Sequence, residues 1–428
     1  MEGPAAVNIS DRPAAQPEAQ AAGDGAIAGS GPAGGALAAG TAPAGAERLP
    51  SLLYSEVESD LRASVRALLE DRCGWQAVLA RTESGEPYDA ALWRALAAGL
   101  GCAGLLVPAE HGGAGVSYRE ACVSAEELGR YVAPVPYLGS AVVATAALLA
   151  VGDTELLTKL ATGDVTAALA VPFAAMPGAP VRPMARLARP QPGDAESGVA
   201  RLSGTVAGLA DALPADVLLV PAEGVPFGLY AVDAGAAGVT RVPLVSLDMT
   251  RQLCDLSLHE VPARRVASGE AAVRAVSAGL TAGAVVLASE QLGLAERCIE
   301  MTVGYVGERR QFGRPVGSFQ ALKHRLADLW VSVTQARAAA RYAAACLATG
   351  DPDTLVAAVL AKSCCGEAAT AVAQECVQMH GGIGFTWEHP AHLYLKRAKS
   401  GSIAFGTPDR HRATLASLVT LPGPPASS

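Results

Sequence analysis

Three features that would point to particular functions are missing from this 428-residue sequence. No block of lysine or arginine stands out, and the net charge of −8 gives no electrostatic footprint for nucleic-acid binding. The nine cysteines form neither a Cys-x-x-Cys pair nor a His/Cys cluster at metal-ligand spacing, so no metal site is predicted. A scattered set of this kind predicts buried thiols in a reducing compartment, and we expect a cytoplasmic protein.

Long hydrophobic runs are also scarce. The longest extends from Ala275 to Ser289 and is shorter than the roughly 20 residues that span a bilayer. It predicts a buried core helix, and we expect no membrane association. No signal peptide is recognised, and the Ala-, Gly- and Pro-rich start of the chain has too few arginines for a transit peptide.

Apolar residues, by contrast, make up half of the chain, which is enough to build two or three compact units at this length. The composition changes along the chain and divides it into segments. We predict a disordered tail at 1–48, a helical domain at 49–163, a β domain at 164–268, a helical bundle at 269–421 and a short disordered tail at 422–428. The first tail has too little apolar surface to offset the entropy cost of ordering.

Hydrophobic periodicity predicts the fold class. Apolar residues recur at 3.6-residue spacing between Tyr54 and Glu70 in the first domain. Short β-branched runs separated by glycine, proline and aspartate predict antiparallel strands in the middle domain. Four long segments, near 274–308, 318–348, 353–379 and 390–421, predict an antiparallel four-helix bundle. The expected fold is mainly α with a central antiparallel β domain.

A glycine-rich motif follows the third of these long segments. It reads Gln378-Met-His-Gly-Gly-Ile-Gly384 and continues Phe-Thr-Trp-Glu-His-Pro390. Paired glycines at a helix end form a turn in which backbone amides approach a ligand without a Cβ in the way. For the glycines alone, a helix cap followed by a loop is the favoured explanation. The aromatic and polar residues that follow are more than capping requires, which favours a ligand-binding loop.

A second motif, Arg309-Arg-Gln-Phe-Gly-Arg-Pro315, ends the first long segment. Basic residues at a helix end, followed by glycine and proline, are ordinary stop signals. They do not explain Phe312. A guanidinium beside an aromatic ring at a tight turn suits a pyrophosphate and a planar ring system. Farther along, Thr407 follows a glycine. A role as a helix N-cap and a role in ligand binding explain this threonine equally well.

Taken together, the motifs resemble the two flavin-contacting signatures of the acyl-CoA dehydrogenase family, and the resemblance covers about Leu52 to Val419. It implies a fold with the domain order predicted above, FAD as cofactor and oxidation of an acyl-CoA thioester. It also implies that Arg309 binds the FAD diphosphate, that Phe312 packs on the cofactor and that Thr407 touches it. The residues expected to contact the diphosphate and adenosine end from a neighbouring subunit are Gln378, Gly381 and Gly382.

The catalytic base is where the chain departs from the family. Family members remove an α-proton with a glutamate while the β-hydride passes to the flavin. The commonest position of that glutamate, before the Gly-Thr pair, is Phe405 here, and a phenyl ring accepts no proton. The alternative position, on the first bundle helix, falls at Gly283 or Ala284. No catalytic residue is therefore assigned. Nearby carboxylates, none of them favoured as the base, are Glu290, Glu296, Glu300 and Glu388.

The β domain departs from the family as well. The stretch from Leu169 to Gly178 stands where the family has an acid and hydroxyls that hold the isoalloxazine ring. The stretch from Leu209 to Pro214 replaces a strand with a tryptophan. We therefore expect the ring-binding half of the flavin site to be eroded. His389 and His392 are spaced like a metal pair, but no further ligands accompany them, and a structural role is predicted.

Three functions remain open. The favoured one is a subunit of a heteromeric acyl-CoA dehydrogenase, resembling actinobacterial enzymes that act on steroid-derived or bulky acyl-CoAs. It would supply half of the FAD site but no base. The second is a self-sufficient homo-oligomeric dehydrogenase with a relocated base, and the third is a scaffold without flavin or substrate. The expected partners are an acyl-CoA, a homologous subunit in a heterotetramer or homo-oligomer, and an electron-transfer flavoprotein or similar acceptor.

Overall fold

A computed structural model describes residues 51–86, 88–188 and 200–419, so the predicted tails lie outside the described residues. The N-terminal part is helical, as predicted. Ser55 and Glu58 form a capping box that begins the first helix. The α-helices of this part are α1 (Glu56–Arg72), α2 (Trp75–Thr82), α3 (Ala90–Arg94), α4 (Tyr118–Arg130), α5 (Thr145–Leu149) and α6 (Thr154–Ala161). Shorter π-helical and 3-10 segments lie at Ala95–Gly99, Ala109–His111 and Tyr137–Ala144.

The middle part forms one seven-stranded sheet. Its strands are β1 (Ala167–Leu169), β2 (Ala185–Leu187), β3 (Ala200–Ala210), β4 (Val217–Glu223), β5 (Gly228–Asp233), β6 (Val239–Leu244) and β7 (Leu253–Ser268). The pairings β4–β2–β3–β7–β5–β4 close a ring, to which β1 and β6 add at β4 and β7. Most pairs are antiparallel, as predicted, whereas the short strands β1 and β2 run parallel to β4. The sheet encloses its own apolar core.

The C-terminal part is helical again. Its helices are α7 (Glu270–Glu308), α8 (Gln320–Thr349), α9 (Thr354–His380), α10 (Ala391–Ile403) and α11 (Pro408–Leu418), and the two-residue strands β8 (Arg310–Gln311) and β9 (Arg314–Pro315) form a hairpin after α7. The fourth predicted segment is thus two helices. Phe405 and Gly406 adopt φ of 54° and 106°, which no right-handed helix accommodates. Pro408 then begins α11 because a proline fits the first turn of a helix.

The long helix α7 lies at the centre of the molecule. Gly129 on α4 lies against the backbone of Glu290, and Gly293 on α7 lies against the backbone of Glu126. A Cβ at either glycine would collide with a carbonyl group, so these two residues allow α4 and α7 to approach at backbone distance. As a result, the N-terminal helices and the C-terminal helices share one continuous apolar core.

Two segments, Glu270–Glu308 and Thr354–Phe385, are long and apolar enough by length and composition to cross a membrane. Their most apolar windows are, however, 67% and 61% buried inside the protein. Packing in the shared core therefore accounts for their composition, as it does for apolar helices that lie at the centre of a globular fold.

Candidate active site and cofactor-binding surface

The arginine motif forms an exposed hairpin at the end of α7. The Arg309 amide donates to the Tyr305 carbonyl at 2.8 Å, and the Val316 amide donates to the Arg309 carbonyl at 2.8 Å. Phe312 turns the hairpin with φ of 53°, an uncommon conformation for an aromatic residue, and its side chain is 89% exposed. The hairpin thus presents a guanidinium and a phenyl ring to the surroundings.

An aromatic contact with Phe319 supports this hairpin. The Phe319 ring lies edge-to-face with Phe312, with the ring centroids 6.0 Å apart. The Arg314 guanidinium lies 3.9 Å from the centroid of the Phe319 ring. Such edge and cation–π contacts hold the turn without covering the outer face of Phe312.

The glycine motif forms a second exposed element, at the end of α9. Gly381 has φ of 62°, and no heavy atom lies within 4 Å of where a Cβ on Gly381 or Gly382 would stand. Gly384 is different, since its Cβ would lie 2.5 Å from the Val377 carbonyl oxygen. The loop therefore folds tightly onto the helix end while its first two glycines face open space. Gln378 is exposed beside them.

Tertiary structure brings these two elements together. Tyr305, one turn before Arg309, stacks on His380, the residue before Gly381, with ring centroids 4.4 Å apart. The ends of α7 and α9 are therefore neighbours. Among the described residues Arg309 has no ion-pair partner, and its exposed guanidinium fits an anionic ligand such as a diphosphate. These residues fit the dinucleotide end of FAD.

Thr407 lies elsewhere. It stands at the N-cap of α11, but its side chain makes no capping hydrogen bond, and its carbonyl accepts from the His411 amide at 3.0 Å. Its neighbour in the chain is the Phe405 turn, not the hairpin or the glycine loop. Of the residues predicted to bind the cofactor, Thr407 alone is outside the surface formed by Arg309, Phe312, Gln378, Gly381 and Gly382. We call that surface the dinucleotide surface.

The two positions at which the family carries its glutamate meet in space. A Cβ on Gly283 would lie 2.6 Å from Cζ of Phe405 and 2.8 Å from Cγ2 of Val143. Phe405 is 4% exposed, and its amide donates to the Phe173 carbonyl at 2.7 Å. Its ring packs edge-to-face on Phe173 with centroids 5.6 Å apart. The phenyl ring of Phe405 thus occupies the space that a side chain at position 283 would take.

Little space remains around that ring. A cavity of about 30 Å³ is lined by Leu138, Val143, Leu169, Val171 and Phe405, among others. Such a volume holds water but not an acyl chain. We call this region the closed centre.

Asp211 lies at the wall of the closed centre, where the sequence did not suggest a site. Its Oδ2 accepts the Gly139 amide at 2.8 Å, and burial raises the pKa of its carboxyl group. It also has a positive φ of 57°. The available signal in the sequence was a single acid within the apolar stretch 209–214. The carboxylate ties strand β3 to the Tyr137–Ala144 segment and closes the cavity from one side.

The nearby carboxylates are held in ion pairs. Glu290 lies between Arg251 at 2.6 Å and Arg397 at 2.8 Å, and all three side chains are buried. Burial alone would raise the pKa of Glu290, but the two guanidinium groups outweigh it and lower the pKa to about 2. Glu290 is therefore an ionised structural group and not a poised base.

The remaining carboxylates are also unsuited. Glu296 pairs with Arg337 at 2.7 Å and with Arg62 at 3.2 Å, and Glu300 pairs with Arg130 at 2.6 Å. Glu388 is exposed in the loop before α10, where its amide donates to a neighbouring threonine hydroxyl at 3.3 Å. None of them lines the closed centre.

A larger cavity, of about 590 Å³, lies between the sheet and α10. Phe173 and Ala174 line it from the stretch predicted to have lost its acid and hydroxyls, and Gly208 lines it from β3. Its hydroxyl groups come instead from Ser246 and Ser400. Space therefore lies beside residues 169–178, a stretch without the acid and hydroxyl side chains that the family resemblance led us to look for.

The histidine pair does not build a metal site. His389 stacks on His380 with centroids 4.1 Å apart, and His392 meets the Trp387 ring edge-to-face at 4.6 Å. Within 51–86, 88–188 and 200–419, no group of three or more His, Cys, Asp or Glu residues is arranged to hold a metal ion.

Comparison with known proteins identifies the class. The model of the acyl-CoA dehydrogenase N-terminal domain matches residues 55–164, and that of the C-terminal domain matches residues 273–419. Acyl-CoA dehydrogenase IpdE2 of Mycolicibacterium smegmatis is 35% identical, over 83% of this chain and 96% of its own length. IpdE2 of Mycobacterium tuberculosis is 36% identical, over 81% and 92%. The chain belongs to the acyl-CoA dehydrogenase family.

Solved structures agree with this assignment. A chain of the Tcur3481-Tcur3483 steroid ACAD matches with a TM-score of 0.72 and 32% identity, over 85% of this chain and 97% of that chain. A chain of the ChsE4-ChsE5 complex from Mycobacterium tuberculosis matches with a TM-score of 0.76 and 28% identity, over 87% and 100%. The predicted fold class, the oxidoreductase class and FAD as the cofactor are confirmed.

Proposed function

We propose that this chain is the base-lacking subunit of a heteromeric acyl-CoA dehydrogenase. It binds the dinucleotide end of FAD at an interface with a homologous subunit, and that subunit provides the glutamate and the acyl-CoA site. One observation carries the proposal. The two positions that could hold a glutamate coincide in space at Phe405 and Gly283, and a phenyl ring fills the place.

The carboxylates of the chain support this reading. A general base needs hydrogen-bond reach to the substrate carbon and a pKa suited to taking up a proton. Glu290 is ionised between Arg251 and Arg397, and its pKa of about 2 makes it a poor proton acceptor. Asp211 is bound to the Gly139 amide at the wall of a cavity too small for an acyl chain. Neither of these two carboxylates therefore combines access to a substrate with a pKa suited to a base.

The dinucleotide surface supports the other half of the proposal. Arg309 has an exposed guanidinium without an ionic partner among the described residues, and it would donate charge-assisted hydrogen bonds to the diphosphate. No heavy atom lies within 4 Å of where a Cβ would stand on Gly381 or Gly382, which leaves room for a ligand at the backbone, and the exposed Phe312 ring would pack on the cofactor. When bound, FAD supplies the hydride acceptor of the reaction. The residues of this chain hold and orient it.

The names of similar structures support a two-chain enzyme. The ChsE4-ChsE5 complex and the Tcur3481-Tcur3483 steroid ACAD are each named for two chains, and both match nearly the whole described part of this protein. We propose a bulky, steroid-like acyl-CoA as the substrate class, and an electron-transfer flavoprotein or similar acceptor for the electrons.

The test is flavin content. The chain is purified alone and co-expressed with a homologous dehydrogenase that keeps both the glutamate before Gly-Thr and the acid and hydroxyls that hold the isoalloxazine ring in the family. We expect tight FAD only in the complex, with a single FAD for each pair of chains. If the lone chain bound stoichiometric FAD, and an acyl-CoA bleached that flavin, the protein would be a self-sufficient enzyme. Absence of FAD from every preparation would favour a scaffold.

A further inference from the structure

We propose that the stacked rings of Tyr305, His380 and His389 brace the dinucleotide surface and set the spacing between Arg309 and Gly381. His380 and His389 are then positioning residues for FAD, acting through the backbone elements that they hold. This inference rests on the proposed function, because it concerns how the same surface is kept in a binding geometry.

The three rings form a continuous stack. Tyr305 and His380 lie with centroids 4.4 Å apart and an interplanar angle of 29°. His380 and His389 lie 4.1 Å apart at 35°. The first pair is stacked and the second is tilted, and both separations place the rings in van der Waals contact. The stack joins three elements, namely the end of α7, the end of α9 and the loop before α10.

Hydrogen bonds fix the orientation of both imidazoles. His380 Nδ1 lies 2.6 Å from the Cys376 carbonyl, to which it donates, and 3.7 Å from Cys376 Sγ. His389 Nδ1 accepts the Ala391 amide at 3.3 Å. Each ring is therefore held by the backbone of its own element, so a ring cannot turn without disturbing the element behind it.

The brace adjoins the residues that would bind the cofactor. Arg309 donates its amide to the Tyr305 carbonyl at 2.8 Å, so the first ring belongs to the turn that carries the guanidinium. Gly381 follows His380 directly. Among the described residues, no hydrogen bond or ion pair joins the 309–315 hairpin to the 381–385 loop. The stack is the side-chain contact that couples the two sides of the surface.

The experiment titrates FAD into the flavin-depleted complex and follows flavin fluorescence, with thermal unfolding measured in parallel. His389→Ser removes the third ring, and His389→Phe replaces it with a ring of similar shape. We expect His389→Ser to weaken FAD binding by about three- to tenfold, because one aromatic contact is lost. His389→Phe should restore most of the FAD affinity. Tyr305→Leu and Tyr305→Phe form a second matched pair at the other end of the stack.

His392→Ser is the control, because His392 lies near the stack but contacts Trp387 instead. It should leave FAD affinity unchanged. Equal weakening by His389→Ser and His389→Phe would overturn the brace, since shape would then not matter. So would unchanged FAD affinity in His389→Ser and Tyr305→Leu while Arg309→Ala releases FAD, and in that case the proposed function would stand. A wild-type complex without FAD would reject the proposed function itself.

Discussion

The dinucleotide surface and the closed centre differ in almost every physical respect. The first is exposed and presents a guanidinium, an aromatic ring and two glycines at which a Cβ would meet no other atom within 4 Å. The second is buried, packed with two phenyl rings and lined by the carboxylate of Asp211, which accepts a backbone amide. The dinucleotide surface is therefore open to a ligand. In the closed centre, side chains of the protein itself fill the space and pair the charge.

Helix α7 runs through both regions, which shows how they can differ independently. Gly283 and Arg309 are separated by roughly 39 Å along its axis, at 1.5 Å for each residue. The residue at Gly283 is therefore too far from Arg309 to contact the dinucleotide surface directly. Because the shared core anchors helix α7, the end that carries Arg309 stays in place even where the Phe405 ring fills the space beside Gly283.

The largest effect is expected from removing the charge beside the closed centre. Glu290→Gln leaves Arg251 and Arg397 buried with their partner neutralised, and breaking a buried ion network of this kind costs about 3–5 kcal/mol. Urea denaturation measures the loss. Glu155→Gln is the control, since its pair with Lys159 is exposed and should contribute little to stability. A similar small loss in both variants would contradict the role assigned to Glu290.

The contact between Phe405 and Gly283 can be broken in a double-mutant cycle. Phe405→Ala should destabilise the protein by about 3–5 kcal/mol through the cavity that it leaves. Gly283→Ala should cost about 1–3 kcal/mol because its Cβ would overlap the Phe405 ring.

The double variant tests whether the two positions share one space. We expect its loss of unfolding free energy to be smaller than the sum of the single losses, because the new methyl group enters the cavity left by the ring. Strict additivity would mean that the two positions do not meet. FAD affinity of the complex should remain unchanged in all three variants.

Arg309→Ala tests the dinucleotide surface. It removes a hydrogen bond to a charged group, worth about 1.5–3 kcal/mol, and should weaken FAD binding to the complex about 10- to 150-fold. The unfolding free energy should hardly change, because Arg309 is exposed. Arg310→Ala, one residue along the same hairpin, is the matched control for charge. If both variants lost FAD equally, net charge and not a specific contact would explain the binding.

The smallest expected effect is a dependence of stability on pH. Burial, followed by nearby positive charge, lowers the pKa of His389 and of His411 to about 4 from the usual 6.5. Both histidines therefore bind protons more readily in the unfolded chain, and stability should fall as the pH drops from 6.5 to 4. Unfolding followed across this range measures the slope. His411→Gln and His389→Phe should each flatten it, and an unchanged slope would argue against titration of these groups.

Much of the fold followed from local patterns in the chain. Helical periodicity and the change to β-branched runs located the three parts, because burial of one face imposes a period on any helix or strand. The last predicted segment was wrong in detail. A periodic pattern runs through 390–421, but the positive φ of Phe405 and Gly406 breaks it into two helices, and backbone conformation of this kind has no periodic signature.

The candidate site divides in the same way. The sequence predicted Arg309, Phe312, Gln378, Gly381 and Gly382 as cofactor contacts, because each lies in a short motif whose chemistry is local, and that assignment stays a prediction. Asp211 was missed because the amide that it accepts belongs to Gly139, 72 residues away in the chain.

The sequence by itself determined that a glutamate is absent from both usual positions, and that the motifs for the dinucleotide are present. Only the tertiary structure decided that the two empty positions are one place, that Phe405 fills it, and that Glu290 is committed to two arginines. It also decided that Tyr305, His380 and His389 stack between the two halves of the dinucleotide surface. The physical reason is that volume, charge pairing and ring contact depend on distances between residues far apart in the chain, and folding alone sets those distances.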